Sequence, residues 1–295
     1  MTNAQLTAGD TALNYEDHGR PTPGTEPLVL LHGFVGSTAD WAGVLPRLAA
    51  DRRVLAYDHR GHGRSAKPGR ADAYTFDALE ADLHAFLDAL GLGPVDLLGH
   101  SMGGVVAQRY ALAHPDRVRS LVLMDTAPEP SGGPLSLLMR PLEMLVRRRG
   151  MGVLGMLAKL LPKPKPEAKA KAKPEPKPEP AADGSGADGG LTAEQRDRQA
   201  AAFLATNPEA FAAFARELRG YPPLTARLGE IACPTTVLVG AGDKALRRGV
   251  RLLADGIPGA RLVVVDGAKH SPQTEQPQAW LAAVRAHFDR LEGPR

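Results

Sequence analysis

The stretch LLGHSMGGVVA, residues 97–107, places one serine, Ser101, among glycines directly after an apolar run. The run VDLLG that leads into it predicts a buried strand, and MGGVVAQRYALA that follows it has the composition and spacing of a helix. Glycine weakens the interior of either element. We therefore expect Gly99 and Gly103 to mark a strand-to-helix turn too sharp for larger side chains, with Ser101 exposed at its tip.

The remainder of the chain predicts an α/β fold. Uniformly apolar runs are typical of strands that are covered on both faces, and strands that alternate with helices form a mostly parallel sheet. Residues 6–17 instead predict an antiparallel pair at the edge of the sheet. The apolar runs lie at 28–31, 54–57, 95–98, 118–124, 235–239 and 262–265, and helical periodicity is seen at 76–90, 102–113 and 278–291.

Between Met124 and Cys233 the alternation stops and helix-like pieces rich in Leu, Met and Arg follow. This predicts a core in two parts, residues 1–127 and 231–295, with a helical lid over 128–230. Residues 162–190 of the lid are rich in Pro, Lys, Glu and Gly with almost nothing apolar to bury, which predicts a disordered insertion. A basic tether for an acidic partner or a membrane surface is the alternative, but the interspersed glutamates dilute its charge.

Composition excludes several classes of protein. The 295 residues are 43% hydrophobic with a net charge of +3, so a large core is available and nucleic acid is not an expected partner. No apolar run is long enough to span a bilayer. The single cysteine, Cys233, excludes an internal disulfide and a cysteine zinc site, and the N-terminus has no signal-like segment, so we expect a cytoplasmic protein. The oligomeric state stays open.

A serine hydroxyl becomes a nucleophile only when a base and an orienting carboxylate lie nearby. Of the nine histidines, His270 follows the apolar run at 262–265 by a short loop. This places it at the same carboxyl edge of the sheet as Ser101, where reactive groups collect in α/β sheets. His270 is the predicted base.

Two aspartates are candidates for the carboxylate. Asp243 lies just past the strand at 235–239, and Asp125 ends the strand at 118–124. Both satisfy the chain order Ser, Asp, His. We favour Asp243, because a loop carboxylate can turn toward an imidazole more freely, and Asp125 would then cap the start of the lid.

An oxyanion hole needs two backbone donors aimed at the developing negative charge. The Met102 N–H, at the start of the helix after Ser101, is one candidate. The second is the Phe34 N–H, because Gly33 allows a tight turn after the strand at 28–31.

With these pieces placed, the sequence resembles the lid-bearing α/β-hydrolase superfamily of esterase-like and lipase-like serine hydrolases. The resemblance implies an eight-stranded, mostly parallel sheet with helices on both faces and an inserted lid. It also implies Ser101 as nucleophile, His270 as base, Asp243 as acid and no cofactor or metal, while His59 and His62 are turn and packing residues. The motifs that carry it are HGFVGS at 32–37, YDHRGHGRS at 57–65, GHSMGG at 99–104 and GAKHSPQTEQP at 267–277.

The predicted function is hydrolysis of a carboxylic ester, a small molecule with an apolar acyl group. Leu and Met side chains of the lid either wall an acyl pocket or pack on the core, and we weigh these equally. A serine at the turn argues against the dehalogenase and epoxide hydrolase branches, which resemble this chain but carry aspartate there.

Three alternatives stay open. HGFVGSTADW and GAGDKALRR are similar to a menaquinone-pathway synthase, a lyase, although Val105 stands where that enzyme has arginine. A C–C bond hydrolase would use the same residues on an anionic substrate. Outside enzymes, a scaffold could use 162–190 as a tether. An anionic substrate could be recognised by the lid arginines Arg140, Arg147, Arg148 and Arg149.

Overall fold

The strands form one sheet, as the apolar runs predict. This computed structural model describes residues 2–130, 134–160 and 192–292. The described residues contain eight strands in the spatial order β1-β2-β4-β3-β5-β6-β7-β8. They are β1 (Thr2–Ala8), β2 (Thr11–His18), β3 (Leu28–Leu31), β4 (Val54–Tyr57), β5 (Val95–His100), β6 (Val118–Met124), β7 (Thr235–Gly240) and β8 (Arg261–Val265).

Pairing follows the predicted pattern. β1 and β2 form an antiparallel hairpin, and β2 is antiparallel to β4. All other neighbours are parallel. The mostly parallel sheet and its antiparallel edge pair are therefore confirmed, and the carboxyl ends of β3 to β8 meet along one edge.

One prediction about the strands is wrong. The run at 262–265 was expected to be covered on both faces, but Leu262 is 43% exposed and Val264 is 53% exposed. β8 is the last strand of the sheet and pairs only with β7, so its outer side has no neighbouring strand. Hydrophobicity alone does not distinguish a strand at the edge of a sheet from one in its centre.

Helices cover both faces of the sheet. Strand residues alternate between two cores on opposite faces: Val29 belongs to the core that includes Val106, whereas Leu30 belongs to the core that includes Trp280. The helices before β6 and after β7 are α1 (Leu45–Leu48), α2 (Phe76–Ala89), α3 (Met102–Ala113), α8 (Arg247–Gly256), α9 (Pro272–Glu275) and α10 (Pro277–Glu292).

In the part of the chain between β6 and β7 that the structure describes, four further helices occur, which confirms an insertion of helical pieces at this point. The last of them packs on the core, because Phe211 stacks on Phe34 with ring centres 5.1 Å apart. The predicted disordered stretch 162–190 lies outside the described residues. The inserted helices are α4 (Pro134–Arg149), α5 (Gly152–Leu160), α6 (Ala193–Leu204) and α7 (Pro208–Gly220). Among the described residues, no helix is long and apolar enough to cross a membrane.

A buried polar network holds α10 against the end of the sheet opposite Ser101. Arg52 donates to Asp96 on β5 and to Glu292 on α10, the latter at 2.9 Å. Beside it, His287 of α10 bonds Thr236 Oγ1 and Ser120 Oγ at 2.9 and 3.0 Å. Burial, followed by the charges of nearby arginines, lowers the pKa of His287 to about 3.

His287 makes stability depend on pH. Its folded pKa lies below that of the unfolded chain, so its contribution is present above about pH 6.5 and is lost as the pH falls. Between pH 7.5 and pH 5, the unfolding free energy of the wild type should fall by about 2 kcal/mol relative to His287→Gln. Urea unfolding at both pH values measures this. The control is His84→Gln, at a partly exposed position on α2; an equal pH effect in both variants would contradict the prediction.

Candidate active site

Ser101 occupies a strained turn between β5 and α3. Its backbone has φ +53° and ψ −113°, in the left-handed half of conformational space that residues other than glycine rarely adopt. The Ser101 N–H donates to the Met124 carbonyl at 2.9 Å, and Thr126 Oγ1 donates to the Ser101 carbonyl at 2.8 Å. Hydrogen bonds to the end of β6 and to the residues just after it thus hold the strained residue in place.

The two glycines of the turn are required by close backbone packing. A Cβ atom at Gly99 would lie 2.4 Å from the Gly103 carbonyl oxygen. One at Gly103 would lie 2.4 Å from the carbonyl oxygen of Leu31, on the adjacent strand β3. Any side chain at either position would therefore push α3 away from the sheet.

The structure brings Ser101, His270 and Asp243 into one chain of contacts. His270 Nε2 lies 3.1 Å from Ser101 Oγ, and His270 Nδ1 lies 2.7 Å from Asp243 Oδ2. Asp243 follows β7 and His270 follows β8, so both reach the carboxyl edge where β5 ends at Ser101. The Asp243 side chain is buried, whereas that of His270 is half exposed.

Asp243 and His270 stabilise each other's charged forms. Burial lowers the pKa of His270, but the hydrogen bond and charge of Asp243 outweigh burial, so the pKa lies above its usual value. Burial raises the pKa of Asp243, and the hydrogen bond and charge of His270 reverse that effect and leave it lowered. This pair favours an imidazolium next to a carboxylate, the state that follows proton transfer from a serine.

Asp125, the other candidate acid, lies beside this pair and not in line with it. It is fully buried, and its Oδ1 accepts from the Gly240 N–H at 3.1 Å. The carboxylate bound to His270 Nδ1 is that of Asp243.

Phe34 and Met102 sit on the two sides of Ser101. A Cβ atom at Gly33 would lie 3.2 Å from Ser101 Cβ, so the turn that carries Phe34 packs directly against the serine. Met102 is the first residue of α3. Within the described part of the chain, neither the Phe34 nor the Met102 N–H has a hydrogen-bond partner. Both donors are thus available to a ligand.

His100 anchors the loop that carries His270, a role that no local sequence pattern predicts. Its Nε2 lies 2.7 Å from the carbonyl oxygen of His270, which can only accept, so Nε2 carries the hydrogen. Burial, followed by the charge of His270, lowers the pKa of His100 to about 3 and keeps it neutral. His100 thereby ties the His270 loop to the end of β5.

Two cavities meet at Ser101, and both are lined by Phe34, Leu218 and His270. The first, about 330 Å³, is mainly apolar and reaches Val105 and Tyr221. Among the described residues that line it, the basic side chains are His270 and Arg219 of α7, and Arg219 is paired with Glu143. The second, about 720 Å³, is more polar, with Asp40, Arg196, Gln199, Ser271, Gln273 and Thr274 in its wall.

Other residues singled out in the sequence lie elsewhere. His59 and His62 are buried and line neither cavity, and His62 Nε2 accepts from the Val35 N–H at 3.3 Å. Arg140, Arg147 and Arg148 line a separate cleft with Glu143 and Glu209, away from Ser101. Two other arginines line the cavities at Ser101, Arg219 in the first and Arg196 in the second. Nothing in their local sequence distinguishes them from other helix arginines, so neither was predicted.

Comparison with known proteins gives a consistent group. The family described as alpha/beta hydrolase fold matches residues 26–277. A hydrolase of 2-hydroxy-6-oxononadienedioate and 2-hydroxy-6-oxononatrienedioate from Paraburkholderia xenovorans is 30% identical over 94% of this chain and 90% of its own. A thermophilic esterase from Thermogutta terrifontis superposes with a TM-score of 0.76 at 29% identity, covering 99% of this chain and 100% of the esterase.

Another relative matches a shorter part of this chain at higher sequence identity. A protein of Caulobacter segnis provisionally named a carbamate hydrolase is 39% identical over 118 residues, which are 39% of this chain and 44% of that protein. The chain thus matches under half the length of such relatives. Two of the three compared proteins are hydrolases by name and the third is an esterase, and their names give different substrates.

The packing of Gly103 predicts the effect of adding one methyl group. Gly103→Ala should lower the unfolding free energy by about 2 kcal/mol, because the Leu31 backbone cannot move aside. At Gly155 in α5, a Cβ atom would meet nothing within 4 Å, so Gly155→Ala should gain about 0.5–1 kcal/mol. Urea unfolding compares the two. Equal effects would show that the turn does not need glycine at 103.

Proposed function

We propose that this chain, which belongs to the α/β hydrolase fold family, is a serine hydrolase that cleaves carboxylic esters. The observation that carries the proposal is the contact chain from Ser101 Oγ through His270 to Asp243, at 3.1 and 2.7 Å. These distances lie within the reach required of a nucleophile, its base and the group that orients the base.

The reaction follows from this arrangement. Ser101 Oγ attacks the ester carbonyl while His270 Nε2 takes its proton, and Asp243 stabilises the resulting imidazolium. The Phe34 and Met102 N–H groups bind the oxyanion. His270 then returns the proton to the departing alkoxide, which leaves as the alcohol. Water, deprotonated by His270, releases the acid from Ser101 in the same way.

The two cavities suggest how a substrate lies. The apolar cavity suits an acyl chain, because its wall is mainly apolar and offers few polar partners. The polar cavity suits the alcohol portion, which His270 must protonate. We infer a substrate with an apolar acyl group and a polar leaving group.

A C–C bond hydrolase is the second candidate. It is favoured by the full-length match to the oxononadienedioate hydrolase and by Arg219 in the apolar cavity. In this structure Arg219 is paired with Glu143, so an anionic substrate would have to displace that carboxylate. The lyase and a scaffold built on 162–190 draw no support from the described residues.

Three sequence-based predictions remain proposals. The first is the assignment of residues 128–230 as a helical lid between the two parts of the core, residues 1–127 and 231–295. The second is an acyl pocket walled partly by the lid, for which Leu218 and Arg219 of α7 are the supporting contacts. The third is a cytoplasmic location.

Ester hydrolysis provides the direct test. The wild type should hydrolyse p-nitrophenyl esters, with rates that rise with acyl length from acetate until the cavity is filled. Ser101→Ala should lose about a thousandfold or more in kcat, because no nucleophile remains. A spectrophotometric assay from acetate to laurate measures both.

Unfolding curves for both proteins are the control that Ser101→Ala still folds. If the folded wild type leaves every ester intact and cleaves a diketone acid instead, the C–C hydrolase is favoured. Undiminished hydrolysis by Ser101→Ala would contradict the role of the serine itself.

A further inference from the structure

Asp125 is a buried carboxylic acid that takes no part in the ester hydrolysis proposed for Ser101, His270 and Asp243. It ends β6 with φ +43°, and its N–H donates to the Leu238 carbonyl on β7 at 2.9 Å. One carboxylate oxygen, Oδ1, is paired with the Gly240 N–H. The other, Oδ2, is buried and has no donor among the described residues. A buried carboxylate oxygen without a donor is unfavourable, so the group needs an explanation.

The side chains next to Asp125 explain its buried carboxylate oxygen. Single ligand atoms of Asp125, Asp243 and His270 all lie within 4.8 Å of one another, so the two carboxyl groups are direct neighbours. Two carboxylates are both acceptors and cannot bond each other. A proton on one of them creates the missing hydrogen bond and removes one of two like charges from a buried site.

Asp243 is the carboxyl that stays ionised, because it faces the N–H of His270 and also accepts from the Leu246 N–H at 3.3 Å. Within the described residues, Asp125 forms no ion pair with a cationic side chain, and His270 turns Nδ1 toward Asp243. The charged groups nearby are already engaged: Arg247 donates to the Ala241 carbonyl, Arg248 pairs with Glu129, and Arg219 pairs with Glu143. The proton therefore belongs on Asp125.

We propose that Asp125 is a positioning residue that works as a neutral carboxylic acid, donating its proton in a hydrogen bond to the Asp243 carboxylate. The bond holds Asp243 in line with His270 and keeps a second negative charge away from the imidazole. No bond is broken and no proton is transferred in this role. The kinetic consequence rests on the proposed function, but the protonated state does not.

Burial, opposed by the Gly240 N–H, raises the pKa of Asp125 to about 7, in keeping with this assignment. The pair titrates as a unit. As Asp125 ionises, its charge raises the pKa of His270. A neutral amide at 125 adds no such charge, and neither does the neutral acid, so the acid limb of kcat/KM, which reports the imidazolium of the free enzyme, should move little in Asp125→Asn.

The kinetic test compares two variants. Asp125→Asn retains a donor for Asp243 and an acceptor for Gly240, so kcat should stay within about threefold of the wild type and the acid limb should move little. Asp125→Ala removes both bonds, and kcat should fall by about tenfold or more. An ionised Asp125 would instead give a clear downward shift of the acid limb in Asp125→Asn, and a purely structural role would lower the unfolding free energy of Asp125→Ala without lowering the kcat of the folded protein.

Infrared difference spectra test the protonation state without any activity. The wild type at pH 6 should show a carboxylic acid C=O band that is absent from Asp125→Asn and fades as the pH is raised to 9. Asp40, whose pKa burial raises to about 6, contributes equally to both proteins and cancels in the difference. The infrared result does not depend on activity, so it holds even if the protein does not hydrolyse esters.

Three outcomes would overturn the proposal. Absence of the band at pH 6 would mean that Asp125 is ionised. A loss in Asp125→Asn as large as that in Asp243→Asn would make Asp125 a charged acid of the mechanism. Activity that is removed by EDTA and restored by an added divalent cation would mean that the two aspartates and His270 bind a metal ion.

Discussion

The site depends on one close contact between backbones, at which α3 begins against the end of β3. Gly103 lies so near the Leu31 carbonyl that a methyl group has no room, and this closeness forces the chain to turn at Ser101 with a positive φ. The strain is balanced by the Met124 and Thr126 hydrogen bonds and by the buried sheet on both sides. The turn exposes the serine hydroxyl beside the unpaired N–H groups of Phe34 and Met102.

The three titratable side chains of the site lie at increasing depth behind Ser101. His270 is half exposed next to the serine, Asp243 is buried behind it, and Asp125 is fully buried beside Asp243. An imidazole at the surface can exchange protons with substrate and water, whereas a buried carboxylate can only hold it in place. Asp125 is neutral beside the ionised Asp243, because two negative charges at that depth would repel each other.

Much of this was predictable from the sequence. Apolar runs and helical periodicity gave the strands and helices, and the glycine spacing gave the turn at Ser101, because these are local properties. The exposure of Val264 depended on the order of strands, which no local pattern records. The bond from His100 to the His270 carbonyl, the approach of Asp125 to Asp243 and the position of Arg219 join residues far apart in the chain, so only the folded structure shows them.

The central claim is that His270 activates Ser101 as a nucleophile. Reaction of the folded protein with a fluorophosphonate, followed by peptide mass spectrometry, tests it most directly because the adduct is covalent and independent of the natural substrate. If His270 activates Ser101, a single adduct should form on Ser101, and it should form much more slowly in His270→Ala. An adduct on another residue, or none on folded wild type, would contradict it.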